Sequence, residues 1–244
     1  MIVEVSNLGF FYKEDKFCFK DLSFCLNEDE TLVILGLNGQ GKSTLLHNLV
    51  GISKPKLGKV SIDKSFSYLS QNISLNFSYK VIDIVLMGLA NQISLFQTPS
   101  KDDYERSKKA LEALDILHLQ NRLYETLSGG QKQLVLLARA IVANNKILIL
   151  DEPFSAMDLK NQNKTLTLIR NLKKELNLSV IFTTHNPNHA HAIADKTLIL
   201  YDDLSYKFGN TDDVLTPSNL TKLYNVRVES VKFEEKDYLI ALFD

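Results

Sequence analysis

The sequence predicts an α/β protein built on a mostly parallel sheet, with an antiparallel β-subdomain at its N-terminus and a helical insertion in its middle. Three observations predict it. Thr31 to Val50, TLVILGLNGQGKSTLLHNLV, reads as a buried strand, a glycine turn and a helix in immediate succession. The apolar, strand-length runs Leu32 to Leu35, Lys146 to Leu150, Ser179 to Thr183 and Thr197 to Tyr201 are separated by tracts of helical spacing, as in parallel strands covered on both faces. From about Tyr79 to Thr126 the apolar spacing is helical throughout.

Ile2 to Val5 and Leu22 to Leu26 are expected to form antiparallel edge strands, with a polar loop, Lys13 to Lys16, between them. Phe10, Phe11, Tyr12, Phe17, Phe19 and Phe24 crowd this segment, and most of them must be core. Cys18 and Cys25 stand seven apart without a CxxC and are flanked by apolar residues, so both are expected to be buried free thiols.

The central stretch carries chemistry. Gly36, Gly41, Lys42 and Ser43 fill the pattern G-x-x-x-x-G-K-[ST], and Asn38, Gly39, Gln40 and Thr44 complete the loop and the helix start. Glycines let such a loop curl so that successive N–H groups point at an anion, and the helix N-terminus adds its positive dipole. Lys42 brings a point charge to the outer phosphates, and the Ser43 hydroxyl is placed to ligate Mg²⁺. The bare pattern arises by chance in about one chain in a hundred of this length. A glycine-rich turn with no ligand is disfavoured by the apolar strand before it and by Leu45, Leu46 and Leu49 on the helix after it. The sheet is therefore expected to be a P-loop nucleotide-binding core, and one of the N-terminal aromatics is available to stack on a purine.

Gly51 is a plausible C-cap, and Val60 to Ile62 and Ser65 to Leu69 read as short strands, the second ending at Ser70-Gln71. Val81 to Ala90 is an apolar helix. Ser100 to Asp103 resembles a capping box opening a helix that carries Tyr104, Ala110, Leu111, Leu114 and Leu117. Leu127 to Gln131 (LSGGQ) leads into a helix through Ala143, and the next strand ends in Asp151-Glu152-Pro153, where carboxylates are unlikely to serve packing. Leu159, Leu166, Ile169, Leu172 and Leu176 mark a helix from Leu159 to Leu176. After Thr184-His185 and the strand to Tyr201 come a short helix following Pro217 and strand-like Val226 to Val231 and Tyr238 to Leu242. We expect one domain over 1–244, with a helical subdomain at about 79–143 and a small appendix at about 203–244.

The 244 residues, 45% hydrophobic and 23% charged, are enough for one large core, and the net charge of −1 gives no reason to expect a nucleic-acid partner. The chain has no apolar run of membrane-spanning length, and Glu4 interrupts the first apolar stretch, so a cytoplasmic protein is expected. His185, His189 and His191 invite a metal reading, but His189 and His191 are two apart on a predicted helix and cannot share a face. His47 and His118, on helices, are expected at the surface or filling cavities.

Together, the cradle, LSGGQ at Leu127 to Gln131 and ILILDEP at Ile147 to Pro153 resemble the ATP-binding subunits of ABC (ATP-binding cassette) transporters, and the likeness runs from Val3 to about Val231. The resemblance implies an ATPase using ATP and Mg²⁺. In it Tyr12 matches the aromatic that stacks on adenine, while Phe10 and Phe11 pack inward. Gln71 matches the glutamine that touches Mg²⁺ and the attacking water, Asp151 the acid that holds hydrated Mg²⁺, and Glu152 the general base. Ser128, Gly129, Gly130 and Gln131 match the signature that meets the γ-phosphate of a nucleotide on a second copy, its glycines forming a second anion site ahead of a helix. Asp158 matches the aspartate that reaches across the dimer, and His185 the histidine that contacts the γ-phosphate. The implied partners are a second copy of the chain, two transmembrane permease subunits and, indirectly, a substrate-binding protein, at the cytoplasmic side of the cell's inner membrane.

VLMG at Val85 to Gly88, LFQTPSKDD at Leu95 to Asp103 and TPSNLTKLYNV near the end resemble importers of iron–siderophore, haem, cobalamin and related chelates. Two departures stand out: the short link between Val60 and Gln71, and Asn186 where the family usually has aspartate. An exporter, another importer class, or a soluble ABC module of DNA repair or translation are the alternatives. The last usually carries two cassettes, long coiled coils or a basic face, none of which this chain shows.

Overall fold

The computed structural model describes residues 1–14, 16–71, 78–94, 97–233 and 236–242, so Leu95 and Phe96 of the LFQTPSKDD tract lie outside the described residues. In chain order the elements are β1 (Val3–Lys13), β2 (Lys16–Leu26), β3 (Thr31–Leu35), α1 (Lys42–Leu49), β4 (Leu57–Ile62), β5 (Phe66–Leu69), α2 (Val81–Leu86), α3 (Lys101–Ala113), α4 (Gly129–Ile141), β6 (Ile147–Leu150), α5 (Leu159–Leu176), β7 (Ser179–Thr184), α6 (Pro187–Ile193), β8 (Lys196–Leu200), β9 (Tyr206–Asn210), α7 (Thr211–Val214), α8 (Pro217–Tyr224), β10 (Val228–Phe233) and β11 (Lys236–Ala241). They fall into two compact units, one of Met1–Lys64 with Ser179–Asp244 and one of Ser65–Leu178. The class is α/β, with parallel strands in the core and a separate antiparallel sheet.

In the first unit, β3 is flanked by β7 and β8, both parallel to it, and β9 runs antiparallel along β8. Every residue of β3 and β7 is buried, which is why both read as continuous apolar runs. Burying one such Val, Leu or Ile side chain is worth about 1.5–3 kcal/mol, so these strands hold the loops at their C-terminal ends firmly. β1 pairs antiparallel with both β2 and β4 to make the N-terminal sheet. The hairpin of β1 and β2 is far longer than the apolar segments suggested, because irregular register at Leu8, Phe10 and Phe11 carries it through residues that interrupt the alternation. Phe10, Phe19 and Phe24 are buried. Phe11 is not: it meets Phe17 across the hairpin at 5.1 Å between ring centres, with the Lys56 ammonium 5.6 Å from its own ring. Cys25 is exposed, contrary to expectation, since Phe24 and Leu26 on either side point into the core and the strand's alternation turns Cys25 out. Cys18 is half-buried, and burial pushes its thiol up.

In the second unit β5 and β6 lie parallel, Leu69 beside Leu150. Ser100 caps α3 as expected, its hydroxyl accepting from the Asp103 N–H while Asp103 accepts from the Ser100 N–H. The helix stops at Ala113, so Leu117 falls in a following 3₁₀ turn. α5 has the expected ends, with Leu166, Ile169 and Leu172 buried, yet Leu159 is 80% exposed and Leu176 43%. Both sit in terminal turns, beyond the buried stripe.

Candidate functional site

The first unit builds a loop for an anion from β3, the turn 36–41 and α1. Gly39 and Gly41 take left-handed backbone angles, φ 83° and 84°, which a side chain would strain. Gly41 is the N-cap of α1 and, having no side chain, makes no capping bond there, and the first turn of the helix carries no acidic residue. α3, α4, α5 and α8, by contrast, are each capped by a Ser, Asp or Thr side chain. The loop is held by Gln40, whose side-chain oxygen accepts from the Leu37 N–H. Lys42 is 6% exposed and folds back so that Nζ donates to the carbonyls of Gly36 at 2.8 Å and Leu37 at 3.1 Å. The uncapped N–H groups and the curled-in ammonium fit a phosphate chain. Ser43, in the first turn, is half-buried, and Asn38 is exposed on the loop.

Tyr12, at the end of β1, bonds through its hydroxyl to Thr44 Oγ1 at 3.1 Å and packs edge-on against Phe10. Its ring borders a cavity of about 750 Å³ that also touches Lys16, Phe17, Asn38, Gly39 and Gln40, and its far wall is Tyr201, Asp202 and Leu204. The sequence offered no signal for that wall, which follows β8 rather than any motif. Lys13 and Lys16, read as loop polarity, also line it.

His185 follows β7 as Gly36 follows β3. The last register pair of the two strands is Leu35 with Thr184, and the Gly36 N–H donates to the Thr184 carbonyl at 3.4 Å, so the histidine and the loop leave the sheet side by side. His185 is exposed. His189 is buried and engaged within the turn, its Nδ1 2.9 Å from Thr184 Oγ1 and its Nε2 3.4 Å from the Asn186 amide nitrogen. Among the described residues no three His, Cys, Asp or Glu side chains are grouped to hold a metal ion.

The second unit gathers the acidic residues. Gln71 follows β5, and Asp151 and Glu152 follow β6, with the Asp151 N–H bonded to the Leu69 carbonyl at 2.8 Å. Asp151 is 2% exposed and Glu152 7%. Glu152 has φ 48°, a left-handed angle that costs a non-glycine residue energy and is found at functional turns. Its carbonyl accepts from both the N–H and the hydroxyl of Ser155, which closes the turn. Tyr68 stands near these acids: burial first, and the Asp151 charge second, push its phenol up to about 12.

Ser128 caps α4 in a reciprocal box with Gln131, and Gly129 and Gly130 form the first helical turn. They are therefore inside the helix, not ahead of it, and neither has a left-handed angle. Their lack of side chains instead keeps the helix end bare, with a Cβ on Gly129 meeting only Ala156, at 3.7 Å or more. Asp158 is exposed and caps α5, accepting from the Asn161 N–H at 2.8 Å. The signature and the Ala156 to Asp158 turn are thus neighbours, and Ser128, Gln131 and Asn161 border a cavity of about 650 Å³.

Comparison with known proteins agrees with this chemistry. A family model described as ABC transporter matches residues 19–155. The chain is 44% identical over 241 residues to the molybdate import ATP-binding protein MolC of Haemophilus influenzae, covering 99% of this chain and 95% of that one. It is 34% identical to the hemin import ATP-binding protein HmuV of Hahella chejuensis, covering 88% and 89%. Among solved structures, a metal-chelate type ABC transporter in an inward-facing conformation superposes with a TM-score of 0.92 at 43% identity, covering 99% of this chain and 98% of that one. The chain belongs to the ABC transporter family, as one of its ATP-binding, ATP-hydrolysing subunits.

Proposed function

We propose that this subunit binds and hydrolyses ATP to drive uptake of a metal chelate, such as a siderophore complex, haem or cobalamin, through a membrane permease. It is the ATPase subunit of an importer. The observation that carries the chelate reading is the end-to-end likeness to the metal-chelate type transporter, which extends through the C-terminal tail. In this reading Tyr12 stacks on adenine, and the N–H groups of 36–44 with the Lys42 ammonium hold the phosphates. Mg²⁺, for which Ser43, Gln71 and Asp151 supply the oxygen donors, neutralises phosphate charge when bound. Glu152 accepts the proton of the attacking water, Gln71 orients that water, and His185 donates to the γ-phosphate. Two copies face each other, so that Ser128 to Gln131 and Asp158 of one meet the nucleotide of the other.

No helix among the described residues is long and apolar enough to cross a membrane. In the reading proposed here the chain docks peripherally, on the cytoplasmic side of the membrane, against two permease subunits served by a substrate-binding protein. Gln71 and the apolar helical insertion near Val81 to Ala90 meet the permease, 1–244 acts as one cassette with its helical subdomain at about 79–143, and about 203–244 is its appendix.

The identity to MolC favours one second reading, import of an oxyanion. Co-expression with candidate permeases of chelate and molybdate importers, reconstitution into vesicles and ATP-dependent uptake of ferric siderophore, haem, cobalamin and molybdate test both readings. Uptake of a chelate is expected. Uptake of molybdate alone would replace the chelate reading, and a chain that joins no permease would leave a soluble ABC module.

A further inference from the structure

The appendix reaches the site through α8 as well as through Leu204. Tyr224, the last residue of α8, donates its hydroxyl hydrogen bond to the backbone carbonyl of His185 at 2.8 Å. His185 lies one residue past the last register pair of β7 with β3. On the following side the turn is strapped within itself, Thr184 Oγ1 accepting from the Asn186 N–H at 3.1 Å and Asn186 Oδ1 from the Asn188 N–H at 3.0 Å. The bond from Tyr224 ties this turn to a separate element.

That element is well anchored. Thr216 caps α8, Leu220 and Leu223 are buried, and Lys222 reaches Asp203 at 2.9 Å while lying 4.3 Å from the centre of the Tyr201 ring. Hydrogen bonds from Ser205 and Lys222 hold the Asp203 carboxyl down at about 2, so this anchor is ionised at neutral pH. Burial pushes the Tyr224 phenol above the ordinary tyrosine range, so it stays a donor through physiological pH.

We propose that Tyr224 is a positioning residue for His185: its hydrogen bond sets the peptide plane at 185 and thereby aims the imidazole at the γ-phosphate, giving the C-terminal appendix a role in ATP hydrolysis. The proposal rests on the reading of His185 given above. A hydroxyl on a fixed helix costs no rearrangement when ATP arrives, whereas a free turn would have to be ordered in the transition state.

The test is steady-state ATP turnover of the full chain, with melting temperatures, for wild type, Tyr224→Phe, His185→Ala, the double variant and Lys222→Met. Phenylalanine keeps the ring and removes only the donor. Tyr224→Phe is expected to lower kcat about three- to tenfold, the effect of one lost hydrogen bond, with KM for ATP within about twofold. It should cause no further loss on the His185→Ala background. Lys222→Met removes one half-exposed ion pair while the Thr216 cap and the buried Leu220 and Leu223 still hold α8 and its hydroxyl in place, so it should lower the melting temperature and leave kcat at the wild-type value. Wild-type kcat in Tyr224→Phe, an undiminished loss on the His185→Ala background, or an equal loss in Lys222→Met would each overturn the proposal. Wild-type turnover in His185→Ala would instead remove the reading of His185 itself, and the positioning role with it.

Discussion

The Tyr12 hydroxyl lies 3.1 Å from Thr44 Oγ1, so the tip of the ring is tied to the first turn of α1 while the residue stays 67% exposed. An aromatic held this way offers a fixed apolar face beside the phosphate loop, already ordered before a base arrives. Tyr12→Ala should weaken ATP binding by about 1–3 kcal/mol, the worth of one base stacked on one ring. Tyr12→Phe should lose much less, because the face remains. Calorimetric titration with ATP checks both, and normal affinity in Tyr12→Ala would move the adenine contact elsewhere on the cavity wall.

Much of this was legible in the sequence, for physical reasons that differ from place to place. β3, β6 and β7 are buried on both faces, so their runs of branched apolar residues announce them. The capping box of Ser100 is local and chemical, and the apolar spacing from Leu159 to Leu176 marks α5, so these too could be read directly. β9 could not, since Tyr206 to Asn210 is an edge strand with no fully buried residue and a glycine near its end. The signature glycines suggested a turn, but their value here is the bareness of a helix end, which no backbone preference advertises. Tyr201, Asp202 and Leu204 join the cavity through the fold alone, and Tyr224 reaches His185 across 39 positions by a bond to a carbonyl, which leaves no trace in side-chain pattern.

Gly88 should prove intolerant of any side chain. A Cβ there would stand 2.1 Å from the Arg139 carbonyl oxygen and 2.5 Å from Val142 Cγ1, so the turn after α2 lies directly on the backbone at the end of α4. Neither a backbone carbonyl nor a branched side chain can move aside cheaply. Gly88→Ala is expected to destabilise the protein by about 1–3 kcal/mol through overpacking, or more if the two helices must part. Urea denaturation measures it, and an unchanged midpoint would show that α2 and α4 are not packed this closely.

The central claim is that ATP is sandwiched between one chain's loop at 36–44 and the signature of a second copy. Glu152 is buried in its left-handed turn at the end of β6, and Glu152→Gln keeps the size of the side chain while removing the base. Turnover should fall by about 10²-fold or more while ATP affinity is retained. Two-fold symmetry then gives two equivalent sandwiches, so persistent ATP should hold two chains together. Ser128, which caps α4, is the residue to block, because an arginine there crowds the bare helix end. The decisive measurement is size-exclusion chromatography of Glu152→Gln with and without ATP. A monomer without nucleotide, a dimer with ATP, and an ATP-bound monomer for the Glu152→Gln, Ser128→Arg double variant are predicted; a double variant that still dimerises on ATP would contradict the account.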